Sequence, residues 1–140
     1  PSRQAHRARR YPMMRYPWDR TEAALRAMAD HGDGAVPELD YVNPETGADV
    51  LPTMGFTAMM LAAGLKTTPR RRSCSSAFHI VRGRGRTTID GQTVEWGPKD
   101  TFSAPVFASL SHEADEEAFL VRIHDRPLQE KLGYYEERDS

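Results

Sequence analysis

From Val36 to His124 the chain repeats one texture. Short runs of β-branched, aromatic and small apolar residues are separated by glycine, proline, asparagine and aspartate. The runs Thr53–Leu61, Ala77–Val81, Arg86–Ile89, Gln92–Trp96, Thr101–Ala104, Ala108–His112 and Ala118–His124 read as strands. Turn chemistry falls at Asn43–Gly47, Gly83–Gly85, Asp90-Gly91 and Gly97-Pro98, where residues that tolerate tight backbone angles are concentrated. About eight short strands at near-regular spacing predict an all-β domain, an antiparallel sandwich or jelly-roll barrel with short flanking helices.

Helical spacing occurs only at the ends of this series. Ala24, Leu25 and Met28 share one face over Thr21–Asp30, with Asp19 or Thr21 as cap and His31-Gly32-Asp33-Gly34 as the stop. Leu128, Leu132 and Tyr135 do the same over Pro127–Tyr135. Residues 1–20 have neither period; their arginines, prolines and aromatics read as an extended basic arm suited to lying on a neighbouring surface. The resulting plan is an arm over 1–20, a helix and linker over 21–35, a barrel over 36–126, and a closing helix and tail over 127–140.

Composition narrows the classes. A chain of 140 residues can bury a real core. Its net charge of −1 gives no overall reason for nucleic-acid binding, although the arm is locally basic. A single cysteine, Cys74, excludes an internal disulfide. No apolar run is long enough to span a bilayer, and Pro1 opens an arginine-rich segment with no signal-peptide core. The expected setting is cytoplasmic. The missing initiator methionine marks a processed or trimmed chain, or a fragment.

The chemistry concentrates between Gly64 and Gly91. From Lys66 to Arg86 there are seven lysines and arginines and no acid. The spacing over Gly64–Gly83, and again over Lys99–Ala114, resembles the two cupin motifs. Laid on this chain, the first motif places Arg70 and Arg72 in two histidine slots and Ser76 in the glutamate slot. The second places Leu110 in the third histidine slot and Ala114 in the usual asparagine slot.

The segments RYPWDRTEAAL, YVNPETGADVLPTM, VRGRGRTTIDG and DRPLQEKLGYYEER further resemble the carboxy-terminal half of gentisate 1,2-dioxygenases. Relatives of that family act on salicylate and 1-hydroxy-2-naphthoate in aromatic-acid catabolism. The resemblance covers about Arg15 to Arg138. It implies a cupin jelly roll, one half of a bicupin enzyme whose amino-terminal cupin holds Fe(II) on three histidines and opens the ring. The carboxy-terminal cupin of such enzymes usually lacks metal and serves the fold and subunit contacts.

The residues themselves argue the same division. A non-haem iron centre needs imidazoles or carboxylates with open positions, whereas a guanidinium has no lone pair to give and leucine has none. No metal site is therefore expected at Arg70, Arg72, Ser76 and Leu110, no catalytic residue is assigned, and Fe(II) belongs to the amino-terminal cupin of a longer parent. Side chains two apart on a strand share a face, so Arg70 with Arg72, and Leu110 with His112, should point into the barrel. Buried guanidinium groups need an answering acid, with Glu95 or Glu113 as internal candidates.

Two functions follow. One is a metal-free carboxy-terminal cupin, inactive alone, that assembles with a metal-bearing cupin or as a homo-oligomer. The other is a stand-alone module that binds an aromatic or other organic acid through Arg70 and Arg72 with His112. Arg82, Arg84 and Arg86 read as a solvated face or a contact with a neighbouring subunit. Cys74 lacks a base partner, and Met54, Met59 and Met60 read as packing.

Overall fold

The computed structural model describes residues 17–32, 36–42, 51, 54–133 and 135–139. The predicted turn at Asn43–Gly47 and all of the arm before Pro17 lie outside these residues. The jelly-roll expectation holds: two five-stranded antiparallel sheets account for nearly all the regular structure. One sheet has the order β1 (Glu38–Asp40), β2 (Gly55–Leu61), β9 (Ala118–His124), β4 (Ser76–Arg82) and β7 (Thr101–Ala104). The other runs β10 (Glu137–Asp139), β3 (Arg70–Arg72), β8 (Leu110–Ala114), β5 (Gly85–Ile89) and β6 (Gln92–Trp96).

Alternation decides what each sheet buries. Met59 and Leu61 of β2, Phe78 and Ile80 of β4, Ala118 and Leu120 of β9, Ala114 of β8 and Trp96 of β6 form the core between the sheets. Such strands would normally show a polar outer face. On β2 and β9, however, Ala58, Met60 and Phe119 are buried as well, because helix α1 (Trp18–His31) covers the outer surface. Leu25 is the fully buried anchor of that helix, and Trp18 meets Phe119 edge-to-face at 5.7 Å between centroids. Continuous burial of β2 thus follows from being covered on both sides, which explains why its sequence lacks clean alternation.

The carboxy end departs from the predicted helix. Helix α2 covers only Arg126–Leu132, because Gly133 caps it in the left-handed conformation with φ 75°. The chain then reverses into β10, which pairs with the arginine strand β3 in the register Glu137↔Arg72 and Asp139↔Arg70. A run of glutamates and arginine carries no strand signal. It is joined to β3 by backbone pairing and by Glu137, which meets Arg70 and Arg72.

Gly83 closes the motif at the end of β4, next to a register shift between Ile80 and Arg82. Its φ of +100° is one that side-chain-bearing residues avoid, and a Cβ there would lie 2.5 Å from both the Ala118 Cα and the Glu117 carbonyl oxygen. Gly91 has φ +83° but open space around it. Gly83→Ala is therefore expected to lower unfolding free energy by more than the ~1–3 kcal/mol of backbone strain alone, whereas Gly91→Ala stays within that range. Chemical-denaturation midpoints of the two variants compare them directly; equal losses would show that the contact with Ala118 is relieved without cost.

Candidate functional site

Strands β1, β2, β3, β4, β8 and β9 line one cavity of about 340 Å³. Arg70 and Arg72 reach it from β3, Leu110 and His112 from β8, Phe78 from β4, and Arg122 from β9. Arg70 and Leu110 are direct cross-strand partners, so two of the three histidine slots face one another. Ser76 is buried but lines a separate depression with His124 and Asp125 at another edge of the barrel. Three of the four ligand slots therefore converge, together with His112, and the glutamate slot does not.

Arg122 was not singled out in the sequence, although its signal is visible there. In Ala118-Phe-Leu-Val-Arg122-Ile-His124, alternate residues share a face with the core residues Ala118 and Leu120. Arg122 consequently projects inward between Thr57 on β2 and Phe78 on β4, its partners in register. It is 2 % exposed, and its Nε and Nη1 have no hydrogen-bond partner. Burial and the neighbouring Arg72 both pull its guanidinium pKa down, yet arginine stays protonated in proteins.

The acid that answers β3 is neither Glu95 nor Glu113. Arg70 Nη1 donates to Glu137 Oε1 at 2.9 Å, and Arg72 Nε stands 3.6 Å from the same oxygen. The Tyr135 hydroxyl donates to Glu137 Oε2 at 2.9 Å. Burial works against the charge on Glu137, but Tyr135, Arg72 and Arg70 together hold its carboxyl below the ordinary range. Glu113 instead pairs with Arg86, which also bonds Asp115 at 2.9 Å. The reason is strand geometry: Glu113 adjoins inward-facing His112 and Ala114 on β8, so it takes the outer face and meets its register partner Arg86. Arg82 likewise finds its acid within the chain, pairing with Glu22 and lying over the Phe119 ring.

His112 is held by a directed relay. The Trp96 indole donates to Thr87 Oγ1 at 2.9 Å, and Thr87 Oγ1 lies 2.8 Å from His112 Nδ1. The Thr87 hydroxyl has no acceptor other than Nδ1 among the described residues, so its proton goes to Nδ1, which leaves the imidazole N–H on Nε2. Burial, then Arg72 and Arg122, lowers the pKa of His112 to about 4, so the ring is neutral at physiological pH.

His124 forms a second buried relay. Thr57 donates to Asp40 at 2.6 Å and therefore accepts from His124 Nε2 at 3.0 Å, leaving the buried Nδ1 unpaired. Its pKa also falls to about 4, through burial and then Arg122. His79 bonds Thr101 at 2.9 Å on the outer side of β4. Cys74 is buried, and desolvation pushes its thiol pKa up despite Arg122 and Arg72 nearby, the opposite of an activated nucleophile.

The residues around the cavity do not fit iron. Arg70, Arg72 and Arg122 have no donor lone pair, Leu110 has none, and His112 offers a single imidazole. Among the described residues no three histidine, cysteine, aspartate or glutamate side chains gather as a metal would require. Nor is any described helix long and apolar enough to cross a membrane.

Comparison with known proteins agrees with the architecture. No family model matches the sequence. The chain is 37% identical over 134 residues to a gentisate 1,2-dioxygenase from Ralstonia sp, covering 93% of this chain and 38% of that protein. It is 36% identical over 135 residues to a 5-aminosalicylate 1,2-dioxygenase from Comamonas sp, covering 91% and 36% respectively. The salicylate 1,2-dioxygenase of Pseudoaminobacter salicylatoxidans, in its structure with gentisate, superposes with a TM-score of 0.83 at 30% identity, over 89% of this chain and 36% of the other. The chain belongs to the gentisate 1,2-dioxygenase family. It spans little more than a third of the length of these relatives. A cupin-2 domain protein from Rhodospirillum rubrum, at 16% identity and a TM-score of 0.56, shares the fold.

Both histidines fix the sign of the pH response. Each has a native pKa near 4, below the ordinary 6.5, so above pH 6.5 both states are neutral and neither ring contributes. Between pH 6.5 and 4 the unfolded chain takes up protons that the native chain refuses. Stability should therefore fall on acidification by up to about 1.4 kcal/mol per pH unit for each ring. His112→Gln should remove one proton from that slope in urea titrations at stepped pH; a wild-type profile flat from pH 6.5 to 4.5 contradicts the assignment.

Proposed function

We propose that this chain is the metal-free, carboxy-terminal cupin of a two-cupin ring-cleaving dioxygenase, and that it supplies structure and subunit contacts rather than catalysis. The parent reaction on this reading is the Fe(II)-dependent insertion of both atoms of O2 into gentisate or a related hydroxylated aromatic acid, with gentisate giving maleylpyruvate. The iron would sit in an amino-terminal cupin outside residues 1–140.

One observation carries the reading: the barrel and its motif glycines persist while Arg70, Arg72 and Leu110 occupy the three histidine slots. A site that must bind a dication and exclude competing charge is poorly served by guanidinium groups, which repel the metal as well as fail to ligate it. The assembly role draws on the exposed face of α2. Leu128 and Leu132, one turn apart, are 37% and 57% exposed, as an apolar helix face awaiting a partner would be. The partner on this proposal is a metal-bearing cupin or another copy of the chain, in the cytoplasm.

The purified chain is expected to hold far less than one iron per molecule after Fe(II) loading and to consume no O2 with gentisate, salicylate or 1-hydroxy-2-naphthoate. Metal analysis and an oxygen electrode measure both. Gentisate-dependent O2 uptake by this chain, abolished by a chelator, would falsify the proposal.

A further inference from the structure

Arg122 has no structural explanation among the described residues. Buried polar groups are almost always hydrogen-bonded, and a buried cation without an acceptor is strongly unfavourable. Yet Nε and Nη1 of this 2 %-exposed side chain have no partner. The available acids are committed elsewhere or out of position. Glu137 is engaged by Arg70 and Tyr135. Glu38 is the single carboxylate on the cavity wall among the described residues; its charge favours the Arg122 cation, but it makes no hydrogen bond to those two nitrogens. Around the cavity stand four cations, Lys66, Arg70, Arg72 and Arg122, against Glu38 on the wall and Glu137 beside β3. The imbalance lies deepest at Arg122, since Arg70 and Arg72 both pair with Glu137, at 2.9 Å and 3.6 Å.

The remaining walls define what would fit. Met59, Leu65, Phe78 and Leu110 are apolar, and Phe78 meets the His112 ring edge-to-face at 5.0 Å. His112 presents Nε2–H, a neutral donor fixed by Thr87 and Trp96. A guanidinium fork matches a carboxylate in geometry and charge. A volume of about 340 Å³ lies at the small end of ligand sites.

We propose that the cavity binds a small carboxylic acid with an apolar, ring-sized body, its carboxylate held by Arg122 and Arg72 with the His112 Nε2–H as third donor. Arg70 stays at the rim with Glu137. The acid takes the place a metal holds in a histidine-bearing cupin. This inference goes beyond the assembly role and shares one premise with it, that no iron occupies the cavity.

Benzoate is the minimal probe, benzyl alcohol its uncharged counterpart and sulfate the anion without an apolar body. Titration calorimetry and thermal unfolding of the full chain, with iron content measured on the same sample, test the site. Benzoate should bind and raise the unfolding midpoint, benzyl alcohol should do neither, and sulfate should bind at least tenfold more weakly. Arg122→Met should weaken benzoate binding roughly tenfold to hundredfold. The same change should leave the ligand-free midpoint equal or higher, because an apolar isostere relieves an unpaired buried charge. A merely structural arginine would do the reverse, lowering the ligand-free midpoint with benzoate without effect on either protein.

Should Arg122→Met not fold, Arg72→Ala carries the test, with the same weakening expected. Equal binding of benzoate and benzyl alcohol, equal binding of sulfate and benzoate, or affinity unchanged in Arg72→Ala overturns the proposal. Stoichiometric iron contradicts both readings through their shared premise; an iron-free chain indifferent to benzoate contradicts this one alone.

Discussion

The guanidinium of Arg122 sets the constraint on which the interior depends. It projects from the central part of a seven-residue strand whose other inward positions are Ala118, Leu120 and His124, so the strand cannot turn it outward without exposing the core. Moving an ion of this size out of water costs on the order of several kcal/mol even after relaxation, and proteins offset such costs with paired acids. Here the acid that acts on Arg122 is Glu38 on the cavity wall, which makes no hydrogen bond to Nε or Nη1, while Glu137 serves Arg70 and Arg72. The charge on Arg122 depresses the protonation of His112 and His124 alike. Both rings stay neutral partly for that reason, and each is oriented by a buried threonine, Thr87 or Thr57.

On the proposed reading, arginines and leucine at the motif positions invert the electrostatics of a histidine-bearing cupin while the geometry stays in place. A histidine-bearing cupin presents neutral lone pairs toward the axis of its barrel and attracts a cation. This barrel presents fixed positive charge toward the same axis, which is the basis of the proposed anion site. The strands that aim the side chains need no change for that inversion, because parity along β3 and β8 decides direction whatever the residue. Strand β10 belongs to the same arrangement: its pairing with β3 brings Glu137 against the arginines, and that carboxylate joins the tail to the barrel.

Most strand positions, the Asp90-Gly91 hairpin turn and the inward direction of Arg72, Leu110 and His112 were legible in the sequence, since each follows from period-two alternation between turn residues, whereas Arg70 stays at the cavity rim. The carboxy-terminal strand was not, because Glu137–Asp139 has no apolar pattern and pairs with a partner distant in sequence. Of the two acids expected to answer the arginines, Glu95 and Glu113, Glu113 takes the outer face of β8 by parity and pairs with Arg86. Arg122 was legible in principle, as the charged member of the inward series on β9. It lies outside both motifs, and the cavity gathers residues from six strands.

The most direct test of this electrostatic inversion is anomalous diffraction from crystals soaked separately in bromide and in a manganous salt. A bromide peak within hydrogen-bonding distance of Arg122 and Arg72, with no manganese peak inside the barrel, is the result expected. Manganese coordinated by His112 at the position flanked by Arg70, Arg72 and Leu110, with that cavity free of bromide, would contradict the account.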